Sequence, residues 1–189
     1  IMIKLGVTGS IASGKTTVSR MLSGRKYPLF DADKVVSKIY KKKNFQNKIL
    51  KKFKLKNKKN IKNKIKKIIF SNQKYLKDLE RIIHPLVRRE LKNFKLKNKN
   101  KKMIIFEIPL LIESKLIKNY DKIIFVNSRK VLRLKRYLKK GKNKKMFKIL
   151  NQRQLPAAKK IKYCDHVINN NTSLKNLKKN VSIIKKKYE

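Results

Sequence analysis

Apolar residues fall along this chain in two rhythms, and their alternation predicts a layered α/β fold. Short, mostly apolar runs read as five buried parallel strands: Ile3-Lys4-Leu5-Gly6-Val7-Thr8, Tyr27-Pro28-Leu29-Phe30, Met103-Ile104-Ile105-Phe106, Lys122-Ile123-Ile124-Phe125-Val126 and His166-Val167-Ile168-Asn169. Between them the apolar positions recur at helical spacing. A helix beginning near Lys15 carries Val18, Met21 and Leu22 on one side. Strands that alternate with helices in this way imply a parallel sheet with right-handed crossovers.

The spacing of the strands is uneven. Between Asp33 and Met103 lie about seventy residues without a good strand, where Ile61, Ile65, Ile68, Ile69 and then Leu76, Leu79, Ile82, Ile83 recur at helical intervals. That stretch is expected to be a helical insertion, residues 41–102, with loop-like charged edges at Asn57 to Asn60 and Lys95 to Lys102. A second charged stretch, residues 131–160, carries Leu132, Leu134 and Leu138, then Gly141 and a lysine-rich turn, then Met146, Ile149 and Leu150. It predicts two helices joined by a flexible basic turn. The core of a single domain is left to residues 1–40, 103–130 and 161–189. No internal repeat is visible.

Chemistry enters where the first strand meets the first helix. Gly9-Ser10-Ile11-Ala12-Ser13-Gly14-Lys15-Thr16 has the spacing of a phosphate-binding loop: glycine, four residues, glycine, lysine, then serine or threonine. The glycines let the backbone aim its N–H groups inward, so Ala12, Ser13, Gly14, Lys15, Thr16 and Thr17 are expected to hold the ATP phosphates. The Lys15 ammonium is suited to the β- and γ-phosphates, the Thr16 hydroxyl to Mg²⁺, and the helix behind them adds its positive end. Ligands of open α/β sheets sit at the carboxyl ends of strands, where Asp31, Asp33 and Glu107 fall. Asp33 is expected to orient an acceptor hydroxyl and Glu107 to stand on the Mg²⁺ side. Asp31 reads equally well as the N-cap of a helix beginning near Lys34.

Composition changes this picture little. With 56 Lys and Arg against 10 Asp and Glu the net charge is +46, which taken alone suggests nucleic-acid binding. The excess is mostly lysine, spread along the chain with Asn and Ile and without interleaved aromatics for stacking on bases. A/T-rich coding accounts for it, and no specific nucleic-acid partner is expected. One cysteine, Cys164, allows no internal disulfide and is read as packing, and His166 as structural. No run of about 20 apolar residues occurs, and the amino end reads as a core strand rather than a leader, so a soluble, cytoplasmic protein without membrane partners is expected.

Taken in order, Thr8 to Thr16, Asp31-Ala32-Asp33, His84-Pro85-Leu86-Val87-Arg88, Pro109-Leu110-Leu111-Ile112-Glu113 and Asp165-His166-Val167-Ile168-Asn169 resemble the successive signatures of the dephospho-CoA kinase family. The resemblance covers nearly the whole chain. It implies a P-loop fold acting on ATP and dephospho-CoA, with Mg²⁺, to phosphorylate the ribose 3′-hydroxyl and give coenzyme A, as a monomer or weak oligomer. It further implies that Asp33 is the base, that the insertion is a CoA-binding subdomain with His84 and Arg88 on the substrate, and that residues 131–160 form a lid. In that lid Arg136 matches an arginine that reaches the phosphates, and Arg153 a basic position near the nucleotide. Two residues depart from the family pattern: Ala12 stands where glycine is common, and Glu107 where aspartate is usual. Two rivals stay open, another small-molecule P-loop kinase acting on a nucleoside monophosphate or sugar acid, and a basic nucleic-acid-binding protein with a vestigial loop. The intact Lys15-Thr16 pair counts against the second.

Overall fold

A computed structural model describes residues 2–71 and 74–189 of the chain. Their contacts divide it into two compact units, the segment ending at Asp31 together with Asn98–Glu189, and Ala32–Lys97. The strands are β1 (Ile3–Gly9), β2 (Leu29–Asp31), β3 (Met103–Glu107), β4 (Lys122–Asn127) and β5 (His166–Asn169). The helices are α1 (Lys15–Ser23), α2 (Ala32–Ile39), α3 (Lys43–Lys52), α4 (Ile61–Ser71), α5 (Lys74–Lys97), α6 (Lys130–Lys139), α7 (Lys144–Gln152), α8 (Ala157–Ile161) and α9 (Leu174–Lys186).

In the first unit the five strands form one parallel sheet in the order β2-β3-β1-β4-β5. Continuous apolar runs suit these strands because both faces are covered. One face presents Leu5, Val7, Met103, Ile105, Ile124, Val126 and Ile168 to Val18 and Leu22 of α1 and Leu177, Val181 and Ile184 of α9. Alternate residues turn the other way. There Phe106 stacks at a tilt on Tyr120, ring centroids 5.3 Å apart. Gly6 lies beneath, where an added Cβ would come 2.8 Å from the Leu111 side chain. The order turns around β1, whose carboxyl end carries the glycine-rich loop, the crevice position of open α/β sheets.

A fully buried lysine, Lys160 of α8, is held on the turn that follows β3. Its ammonium lies 2.7 Å from Glu113 Oε1, and the same oxygen accepts from the Leu155 N–H at 3.0 Å. Cys164 donates its thiol proton to the Lys160 carbonyl, and burial pushes the thiol up to about 11. It is a packing residue, inert as a nucleophile at neutral pH. His166 opens the edge strand β5 and bonds the Tyr188 hydroxyl.

The second unit is helical with its own core. Ile39, Phe45, Ile49, Phe53, Ile61, Ile65, Leu79 and Ile83 are buried together, and Val35, Val36, Leu86 and Val87 pack against them. The sequence boundary at residue 41 falls inside this unit, because α2 packs on α5. Two local readings need correction. Helix α2 begins at Ala32 rather than near Lys34, which puts Asp33 inside its first turn. Lys95 to Lys97, read as a loop edge, continue α5, since half-buried positions at 91, 94, 95 and 98 keep the helical period. His84-Pro85 lies inside α5. Pro85 supplies no N–H to the Arg81 carbonyl one turn back, and both residues are exposed, so water can serve that carbonyl.

The Lys160 pair gives a stability prediction. Glu113→Ala leaves the ammonium buried without its carboxylate and should cost about 3–5 kcal/mol in chemical denaturation. Lys160→Met removes the charge and keeps the volume, and should cost clearly less. Equal losses would mean that packing, not the ion pair, holds α8.

Candidate active site

Beyond Gly9 the chain turns through Ser10 to Gly14 and enters α1 at Lys15. Two glycines are dictated by geometry. A Cβ on Gly9 would lie 2.5 Å from the Val126 carbonyl oxygen; Gly14 has φ 99° and a Cβ there would lie 2.2 Å from Asn170 Nδ2. Ala12 is also left-handed, with φ 57°. An L-residue pays about 1–2 kcal/mol for that conformation, so the departure from glycine at Ala12 carries a strain that the rest of the site must hold.

Inside the loop Lys15 is buried, and its ammonium donates to the carbonyls of Gly9 at 3.2 Å and Ser10 at 3.0 Å. The Thr16 hydroxyl donates to Glu107 Oε1 at 2.6 Å, and Glu107 is 3% exposed. Glu107 stands at the end of β3 in register with Asp31 of β2 on one side and Val7 of β1 on the other. The hydroxyl and carboxylate are hard oxygen donors held side by side, the donor type Mg²⁺ prefers. Among the described residues no group of three or more His, Cys, Asp or Glu forms a metal cage, so a cation here would complete its shell with phosphate oxygens and water.

Outside the loop three side chains that sequence reasoning did not assign hold its backbone. Gln154 Oε1 accepts from the Ile11 N–H at 2.7 Å. Arg133 Nη1 donates to the Ile11 carbonyl at 3.3 Å and to Asn151 Oδ1 at 2.8 Å, while its Nε donates to the Ser128 carbonyl at 3.0 Å. Burial lowers the Arg133 pKa, yet a guanidinium keeps its charge at neutral pH. Asn170 Nδ2 donates to the Ser13 carbonyl at 2.8 Å, and Ser128 Oγ to the Asn170 carbonyl at 3.0 Å. Only position hinted at these residues: Arg133 lies three residues before Arg136, Gln154 directly follows Arg153, and Asn170 directly follows the run ending at Asn169.

Of the expected residues, Ala12, Ser13, Gly14, Lys15, Thr16, Thr17 and Glu107 come together at the carboxyl ends of β1 and β3. Arg136 approaches them through intermediaries, donating to Ser128 Oγ at 3.0 Å and the Asn170 carbonyl at 2.9 Å. Arg153 is exposed at the end of α7, directly before Gln154, which bonds the loop. Asp33, His84 and Arg88 belong to the helical unit and are exposed there. His84 and Arg88 are four residues apart on one face of α5, against which the helix of Asp33 packs.

The family model for dephospho-CoA kinase matches residues 3–176. A dephospho-CoA kinase of Aquifex aeolicus is 32% identical over 193 aligned positions, which span 100% of this chain and 97% of that protein. One of Fusobacterium nucleatum is 45% identical over 91 residues, so that match spans only about half of each chain, 46% here and 47% there. The solved dephospho-CoA kinase of Campylobacter jejuni superposes with a TM-score of 0.69 at 27% identity, over 100% of this chain and 98% of that one.

The loop geometry generates a prediction of its own. Gly14→Ala combines a disallowed φ with the Asn170 clash and should cost about 2–4 kcal/mol by denaturant titration, with Mg-ATP binding lost. A variant that keeps parent stability and binding would mean that the loop does not take this shape in solution.

Proposed function

We propose that this chain, which belongs to the dephospho-CoA kinase family, transfers the γ-phosphoryl group of ATP to the ribose 3′-hydroxyl of dephospho-CoA, giving coenzyme A and ADP. The observation that carries the reading is an intact phosphate loop, with Lys15 folded across it and Thr16 bonded to Glu107, in a chain that matches the family over residues 3–176. No helix among the described residues is long and apolar enough to cross a membrane.

Phosphoryl transfer asks for positioning and charge neutralisation more than covalent chemistry. The amides of Ala12 to Thr17 receive the β- and γ-phosphate oxygens. To reach those oxygens the Lys15 ammonium exchanges its carbonyl partners, Gly9 and Ser10, for phosphate. Thr16, with Glu107 beside it, would hold Mg²⁺, which when bound would supply countercharge to the phosphates. Glu107 is one methylene longer than the aspartate usual there, and the longer arm bonds the Thr16 hydroxyl. Arg136 and Arg153 bring positive charge from the lid. On the acceptor side Asp33, two residues past the end of β2, orients the 3′-hydroxyl and takes its proton, while His84 and Arg88 bind the anionic substrate.

The activity is tested by incubating the protein with Mg-ATP and dephospho-CoA and detecting coenzyme A by mass. Lys15→Ala should abolish product while leaving the circular dichroism unchanged. Asp33→Asn keeps the shape but loses the basicity, so it should bind both substrates and form coenzyme A at least about a hundredfold more slowly. An active Asp33→Asn beside an inactive Asp31→Asn would move the base to Asp31.

A further inference from the structure

We propose that Gln154 and Arg133 are positioning residues for the phosphate loop: by gripping both peptide groups of Ile11 they hold Ala12 in the left-handed turn that shapes the loop for ATP. Ala12 stands at φ 57°. Glycine takes such a φ freely, whereas alanine is drawn back toward the right-handed and extended regions. Leaving the turn requires rotation about the N–Cα bond of Ala12, which swings the Ile11–Ala12 peptide plane. The oxygen of that plane is the one Arg133 Nη1 holds at 3.3 Å. The preceding plane is fixed by Gln154, whose Oε1 takes the Ile11 N–H at 2.7 Å.

The grip is rigid because its anchors are. Arg133 is 8% exposed and its guanidinium also binds the Ser128 carbonyl and Asn151 Oδ1, with the Phe147 ring 5.7 Å away. Gln154 sits between α7 and the Leu155 N–H that bonds Glu113, which in turn pairs with buried Lys160. Arg133 and Gln154 therefore set the backbone of the phosphate loop from outside it. An alanine at position 12 makes that support necessary; a glycine there would not need it.

Gln154 is the residue to test, since it is half-buried and bonds through one atom, whereas a truncated Arg133 endangers the fold. Three quantities are measured on the full chain: Mg-ATP affinity by direct titration, KM for dephospho-CoA, and melting temperature. The inference rests on the proposed function only through Mg-ATP binding, which titration reads without the acceptor, so failure of coenzyme A formation and failure of the grip fall on different assays. Gln154→Ala should weaken Mg-ATP roughly fivefold to tenfold, the scale of one lost hydrogen bond, and leave the dephospho-CoA KM unchanged. Gln154→Glu keeps an acceptor in place and should restore Mg-ATP affinity. Adding Ala12→Gly to Gln154→Ala should recover most of the loss. The inference is overturned if Gln154→Ala weakens ATP equally with and without Ala12→Gly, or if both substrates weaken together as the melting temperature falls.

Discussion

A loop that turns its N–H groups inward to receive phosphate turns peptide oxygens away from it, and buried peptide groups cannot go without partners. This constraint organises the site. The carbonyls of Gly9 and Ser10 take the Lys15 ammonium, that of Ile11 takes Arg133, and that of Ser13 takes Asn170. Each partner is itself placed by a different element: Lys15 by the first turn of α1, Arg133 by α6, and Asn170 by the residue step beyond β5. The sheet brings these elements together because β1 and β4 are neighbours, and β5 lies beyond β4. Asn170 illustrates the economy of the arrangement, since its backbone N–H bonds Asn127, its carbonyl takes Ser128 and Arg136, and its side-chain nitrogen leaves no room for a Cβ on Gly14.

The same constraint explains what the sequence could and could not disclose. The loop is legible because its determinants are local: eight consecutive residues carry the glycines, the lysine and the hydroxyl. The strands are legible because burial on both faces writes continuous apolar runs, and each expected strand has its counterpart within about two residues at either end. The outer supports are not legible. Gln154 and Asn170 meet the loop across 143 and 157 residues, and a side chain bonding a distant carbonyl leaves no period or spacing to read. Arg133 was passed over for Arg136, three residues on, since nothing in an arginine's neighbours tells which of two will be buried. The start of α2 was misplaced because Ala32-Asp33 continues a strand's polar edge as readily as it opens a helix, and packing on α5 decides it.

Charge sets a second condition on the fold. With ten carboxylates against 56 basic side chains, repulsion works against compactness throughout. Exposed pairs such as Lys4 with Asp121, Lys42 with Glu90 and Lys122 with Asp165 relieve it locally, each by about 0–1 kcal/mol. At Asp165 burial works to raise the carboxyl, but Lys122, the Ile123 N–H and His166 together hold it below its ordinary value. Two carboxylates are used differently. Glu107 ends β3 against Thr16, and Glu113, on the turn that follows, holds Lys160 and the Leu155 N–H. One strand and its turn thus supply both the carboxylate that meets Thr16 at the loop and the anchor of the segment that carries Gln154. In a chain so short of acid, a shift of β3 along its neighbours would move both together, so its register with β1, Ile3 on Met103 through Val7 on Glu107, fixes the inner and outer supports of the phosphate loop at once.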